Sequence, residues 1–168
     1  MPMNPARDVY PAIEISLERQ TLTLRENADA EPKVFSVSTA LNGAGEQNGS
    51  GCTPRGRHYI RAMIGAGQPL NTVFVGRRPT GEILTPDLSA RYPERDWILT
   101  RILWLCGCEP GKNRVGAVDS FRRFIYIHGT PDSEPMGVAQ SHGCIRMRNT
   151  EVAQLFSRVR AGTPVHII

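Results

Sequence analysis

Lysine is nearly missing from this chain: Lys33 and Lys112 stand against 18 arginines. Long apolar runs are missing too. Nothing approaches the ~20 residues that a membrane span needs, so no membrane span is expected. The N-terminus, MPMNPARDVYPAIEISLERQ, has no basic segment followed by an apolar stretch and a small-residue cleavage site. The chain as it stands is therefore expected in the cytoplasm, or in the periplasm if an export signal is missing from it. Cysteine is sparse, with Cys52, Cys106, Cys108 and Cys144 only. In a reducing compartment these are expected to be four thiols rather than two disulfides. The arginines are scattered, with no run longer than the pairs Arg77-Arg78 and Arg122-Arg123 and no accompanying aromatic-basic motif. That argues against a nucleic-acid partner. A planar guanidinium suits carboxylates as well as phosphates, so a small acidic ligand fits the same charge. With 40% hydrophobic and 21% charged residues the chain is not of the disordered class. Its length fits a single domain, residues 1–168.

Alternation dominates the first half. Ile13, Ile15 and Leu17 alternate with polar residues, as do Leu22 and Leu24, so a β-hairpin turning at Glu18-Arg19-Gln20 is expected. Val34 to Ser38 reads as a third strand and the glycine-rich stretch Asn42 to Gly51 as a loop. His58, Ile60, Ala62 and Ile64 fall on one face of a further strand, and Asn71 to Val75 suits another. Residues 76–96 are proline-punctuated and densely charged, which predicts a surface excursion. Trp97 to Leu105 fits either a helix or a buried strand. Phe124 to Ile127 reads as a short strand ending at His128. Val152, Leu155, Phe156 and Val159 recur at helical spacing, with Asn149 or Thr150 as cap and Gly162 as stop. PVHII closes the chain as a strand.

The most reactive side chains lie in IYIHGTPDSEPMGVAQSHGCIRM, Ile125 to Met147. A thiol with its ordinary pKa of ~8.5 is mostly protonated at neutral pH and needs a base or cation to attack. His128 ends a strand and a turn-rich loop separates it from Cys144, so the two can meet. A carbonyl at or after His128 can hold its other ring nitrogen. Gly143 lets backbone approach a substrate carbonyl, and the N–H groups around His142, Gly143 and Cys144 are candidates for an oxyanion hole. Spacing alone leaves two rivals open: Cys144 as a buried small hydrophobe, and a zinc site of His128, His142 and Cys144. Cys52, Cys106, Cys108, His58 and His166 read as framework residues.

The stretch His128-Gly129-Thr130, followed by Ser141-His142-Gly143-Cys144-Ile145-Arg146-Met147, resembles the signature of the L,D-transpeptidase (YkuD-type) catalytic domain. The likeness extends to CTPRGRHYI, to WILTRILWL and to the closing GTPVHII. The resemblance implies a mainly β, β-sandwich- or barrel-like fold of mixed sheets with a helix near the C-terminus, and it makes Trp97 to Leu105 a strand. By position it implies Cys144 as nucleophile, His128 as proton donor and acceptor, and the Gly129 carbonyl as the group orienting His128. Ser141, His142, Gly143 and Arg146 then shape the oxyanion and substrate region. No cofactor and no metal are implied. Two departures stand out: residues 76–96 and 106–123 are longer and richer in arginine than a minimal domain, and neither an export signal nor a wall-binding module is expected from the residues at hand.

The resemblance also implies the substrate, a peptidoglycan stem tetrapeptide or muropeptide. Its bond between the L-centre of diaminopimelate and D-alanine would be opened to a Cys144 thioester. In the cytoplasm only soluble fragments are available, so resolution by water (L,D-carboxypeptidation, in muropeptide recycling) is expected ahead of 3–3 cross-linking. A catalytically idle muropeptide-binding protein is the alternative of another class. Arg146 is the first candidate for the carboxylate of D-alanine, with Arg122 and Arg123 behind it.

Overall fold

The computed structural model describes residues 9–168. The expectation about an export signal falls partly on residues 1–8, outside the described residues. The alternating segments pair as expected. β1 (Ala12–Ser16) and β2 (Thr21–Arg25) form the first hairpin, and β3 (Lys33–Ser36) adds to β2. Then come β4 (Gly56–Ile64), β5 (Thr72–Val75), β6 (Arg78–Ile83), a short helix α1 (Pro86–Arg91), β7 (Ile98–Gly107), β8 (Tyr126–Gly129), β9 (Ile145–Met147), α2 (Asn149–Arg158) and β10 (Pro164–Ile167). The strands make one curled mixed sheet in the order β3-β2-β1-β10-β4-β7-β5-β6. β8 pairs with β7, and β9 extends it in parallel. The other parallel pair is β1 with β10.

β7 is the centre of this sheet, and a bulge decides how it is shared. Ile98 and Leu99 pair with β5 and Ile102 to Gly107 with β4, while β8 pairs with Leu99 and, past the irregularity, with Ile102 to Trp104. Between them Thr100 sits at φ 72. That is a strained conformation for a β-branched residue. Its hydroxyl donates to Asn149 Oδ1 and accepts from the Asn71 N–H at 3.0 Å, which holds the bulge in place.

Period-2 alternation splits the two faces. Ile13, Ile15, Leu22, Leu24, Ile60, Leu103, Leu105, Ile127, Ile145, Met147, Val165 and Ile167 turn inward, and α2 covers them with Val152 and Leu155. Ile102, Phe74 and Tyr126 pack on the other face, with Trp104 and Cys144 against them. One reading changes here. His58 and Ile60 do not share a face with Ile64, because a bulge between Ile60 and Ala62 shifts the register. Ile60 therefore joins the main core, while Ile64 packs beside Ile102 and Tyr126.

Two further readings are corrected. Residues 76–96 are exposed as expected, but they contain an edge strand, β6, and helix α1, whose cap Thr85 accepts from the Leu88 N–H at 3.2 Å. Helix α2 begins at Asn149 with Arg148 as its cap residue, ends at Arg158 rather than Gly162, and receives no side-chain cap. Asn149 is unavailable as a cap because its Oδ1 accepts from the Thr100 hydroxyl, while its Nδ2 donates to Thr130 O at 2.8 Å and Asn71 Oδ1 at 2.9 Å. Tertiary partners outcompete the local one. Among the described residues no helix is long and apolar enough to cross a membrane.

Candidate active site

β8 and β9 run parallel with His128 opposite Arg146 and Ile127 opposite Ile145. Alternation then puts Tyr126 and His128 of β8 on the same side as Arg146 and Cys144, away from the α2-covered core. The sequence separates His128 from Cys144 by a loop, and the parallel register brings them back as neighbours on one surface.

Cys144 is half-buried. Its Sγ accepts the Tyr126 N–H at 3.3 Å and donates to Phe124 O at 3.2 Å. Burial pushes this thiol up to about 12, partly offset by the Tyr126 N–H; Asp96 adds to the rise, and Arg146 and Arg123 oppose it. The resting group is therefore a thiol, donating its hydrogen to a carbonyl.

His128 is 1% exposed. Its Nδ1 lies 2.6 Å from Gly129 O. A carbonyl can only accept, so Nδ1 carries the hydrogen and Nε2 presents a lone pair. Burial lowers the imidazole pKa, and Arg146 lowers it further, against the Gly129 bond and Asp96, which raise it. A neutral thiol and a neutral imidazole thus stand on one face. Attack by sulfur then requires its proton to pass to the base during the reaction, the arrangement of general-base catalysis rather than of a standing thiolate.

The turn that carries Cys144 is held from several directions. Ser141 Oγ donates to Cys144 O and accepts the Gly143 N–H at 3.2 Å. Gly143 adopts φ 133, and a Cβ there would come within 3.2 Å of Cys52 O. The Gly143 carbonyl accepts from Thr53 Oγ1 at 2.9 Å, and Thr53 Oγ1 accepts the Ala40 N–H at 3.0 Å. Thr53 belongs to CTPRGRHYI, so that part of the sequence pins the turn at Gly143. Gly129 has a packing reason of its own. A Cβ there would collide with Asn149 Oδ1 and lie 2.7 Å from Leu99 O.

Two sequence expectations change with this geometry. The Gly143 N–H is engaged by Ser141, so it is not free for an oxyanion at rest. Arg146 is not free for a substrate carboxylate either. Its side chain is 8% exposed, with Nη2 2.9 Å from Asp96 Oδ1 and Nη1 3.8 Å from Glu134 Oε2. Arg123 is likewise committed, donating to Cys52 O at 2.7 Å and to Glu46 O at 3.1 Å. Asp96 was not visible as a site residue. It also accepts from exposed His142 Nδ1 at 3.1 Å. Burial opposes its ionisation, but the His142 bond and the neighbouring His128 and Arg146 hold its carboxyl below the usual range. Nothing in YPERDWI marks Asp96. Only the fold carries it to Arg146. Among the described residues no three metal-ligating side chains converge, and all four cysteines are free thiols.

This is a cysteine–histidine site on a curled β-sheet. The L,D-transpeptidase catalytic domain model (YkuD) matches residues 10–167, and the chain belongs to that family. It is 44% identical over 125 residues to the probable L,D-transpeptidase YbiS of Escherichia coli strain K12, covering 68% of this chain and 40% of that one. The putative L,D-transpeptidase YqjB of Bacillus subtilis is 49% identical over 45 residues, which is 27% of this chain and 26% of that one. The chain thus spans well under two thirds of these relatives. Among solved structures the fold matches L,D-transpeptidase 3 from Mycobacterium tuberculosis with a TM-score of 0.53 at 16% identity, covering 94% of this chain and 60% of that one. It also matches an LD transpeptidase, LdtMt1, in complex with imipenem, with a TM-score of 0.54 at 18% identity, covering 94% and 58%.

Proposed function

We propose that this protein is a cysteine acyltransferase of peptidoglycan stem peptides, with Cys144 as nucleophile and His128 as its base. The observation that carries this reading is the orientation of the pair. His128 offers a bare Nε2 because Gly129 O holds Nδ1–H, on the face where the Cys144 thiol lies under the Tyr126 N–H. Sγ attacks the carbonyl carbon at the L-centre of diaminopimelate while its proton moves to Nε2. The carbon–nitrogen bond to D-alanine then breaks, and the leaving amine takes that proton. A thioester remains. The N–H groups of His142 and Cys144 are the candidates for the developing oxyanion, since that of Gly143 is spent on Ser141.

The second half of the reaction hands the acyl group to an acceptor whose proton His128 removes. An amine of a second stem is the acceptor favoured by the relatives, which are named probable or putative L,D-transpeptidases. Water is the second reading, and it would make the enzyme an L,D-carboxypeptidase acting on soluble fragments in the cytoplasm. Its support is the set of four free thiols, which suit a reducing compartment.

The test is to incubate pure protein with a disaccharide tetrapeptide and follow both protein and products by mass spectrometry. A tripeptide adduct on Cys144, absent in Cys144→Ala, is expected; dimers report an amine acceptor and free tripeptide reports water. Imipenem should also acylate Cys144. A Cys144→Ala protein that turns over normally, or a wild-type thiol inert to both reagents, would leave only a binding protein.

A further inference from the structure

The hairpin between β5 and β6 closes through Gly76 and Arg77 alone, since Val75 pairs with Arg78. Both turn residues have positive φ, 56 at Gly76 and 65 at Arg77. Such a turn favours Asn-Gly or Gly-Gly, because a side chain in the left-handed region crowds its own backbone. An arginine there is held at some conformational cost, and residues kept in such conformations concentrate at functional sites.

The Arg77 side chain reaches the nucleophile's face. Its guanidinium lies 4.9 Å from the Trp104 ring centroid and 5.0 Å from that of Phe124. Nη1 donates to Tyr126 Oη at 3.2 Å. The same Tyr126 donates its backbone N–H to Cys144 Sγ at 3.3 Å, and Phe124 supplies the carbonyl that receives the thiol hydrogen. Two residues that touch the sulfur therefore also cradle the guanidinium. Among the described residues no carboxylate pairs with Arg77, whereas Arg146 is neutralised by Asp96 and Glu134 and Arg123 is spent on backbone carbonyls. An arginine stacked on aromatic rings keeps its in-plane N–H edge for an anion.

We propose that Arg77 binds a carboxylate of the peptide substrate beside Cys144, either that of the departing D-amino acid or the side-chain carboxylate of the diamino acid. The assignment rests on the acyl-transfer reading above. Arg77 does no chemistry in it. It fixes where the peptide lies, and a two-pronged N–H fork on a carboxylate supplies both affinity and direction.

Arg77→Asn is the informative variant, because asparagine suits the turn but carries no charge. Its Tm should equal or exceed that of the wild type, and alkylation of Cys144 by uncharged iodoacetamide should proceed at the wild-type rate. Its KM for tetrapeptide should rise about ten- to a hundredfold, with kcat changed less, and Arg77→Lys should recover part of the loss. Two further stems, amidated at the terminal carboxylate or at the diamino-acid side chain, identify the partner. Amidating the group that Arg77 binds should penalise the wild type but not Arg77→Asn, while the other amide penalises both alike. Equal penalties from both amides in both proteins would overturn the assignment. So would an Arg77→Asn protein that loses Tm and alkylation together, which would mark Arg77 as structural. Wild-type protein that turns over none of the stems removes the acyl-transfer reading and this assignment with it. Turnover of tetrapeptide that Arg77→Asn leaves unchanged removes this assignment alone.

Discussion

Asp96→Asn tests whether the site depends on a charge that the fold imports from a surface segment. The wild-type carboxylate bonds Arg146 at 2.9 Å and His142 at 3.1 Å. Its side chain is 40% exposed, while that of Arg146 is 8% exposed. Breaking a fully buried pair costs about 3–5 kcal/mol, and breaking an exposed one costs about 0–1 kcal/mol. The amide oxygen of the variant would still accept a hydrogen bond from Arg146, and Glu134 remains 3.8 Å from the other guanidinium nitrogen. The expected loss is therefore intermediate, about 1–2 kcal/mol, readable as a lower midpoint in urea denaturation. The kinetic consequence has a definite sign. A carboxylate near an imidazole favours its protonated form, and Asp96 does so for His128. Removing the charge lowers the His128 pKa further. The acid limb of kcat/KM should shift to lower pH, and the plateau should fall because the base is weaker. A limb that moves to higher pH, or a variant as stable as the wild type, would refute the reasoning.

Other consequences are as direct. Gly129→Ala should cost about 1–3 kcal/mol, since its Cβ collides with Asn149. It should lower kcat by shifting the carbonyl that orients His128, and an unchanged kcat would detach that carbonyl from catalysis. His58 is buried with both ring nitrogens bonded, to Gly56 O and Ser120 Oγ, and burial lowers its pKa from 6.5 to about 4. Its folded pKa lies below its unfolded one, so the stabilising effect is complete above pH 6.5 and is lost as pH falls toward 4. The total is about 3 kcal/mol. Comparing the pH dependence of urea denaturation in wild type and His58→Gln measures it, and parallel curves would contradict it. Activity should survive a strong chelator; loss on chelation that zinc restores would revive the ligand reading of His128, His142 and Cys144.

The sequence alone determined the strand-rich architecture, because period-2 alternation is a local signal written into Ile13, Ile15, Leu22 and Leu24. It also singled out His128 and Cys144 as the candidate reactive pair, because they sit in a motif that resembles the family signature. Face assignments along β4 were not legible, since one extra residue at a bulge reverses every side chain after it, and a bulge leaves no mark in the pattern of hydrophobicity. The cap of α2 is not legible either, for a related reason: Asn149 suits a local capping bond, but Thr100, Thr130 and Asn71, distant in sequence, claim its amide.

Around the site the same division holds. Chain order could place arginines near Cys144, but which arginine is free is a question of pairing. Tertiary structure answered it by bringing Asp96, 50 residues away in sequence, onto Arg146, and by folding the β5–β6 hairpin so that Arg77 rests on Trp104 and Phe124. Proton location was also a tertiary matter. The tautomer of His128 and the protonation of Cys144 follow from burial and from the carbonyls of Gly129 and Phe124. Residue identity names the groups able to react, while solvent exclusion and hydrogen-bond partners, which exist only once the sheet has closed, set the state in which they wait.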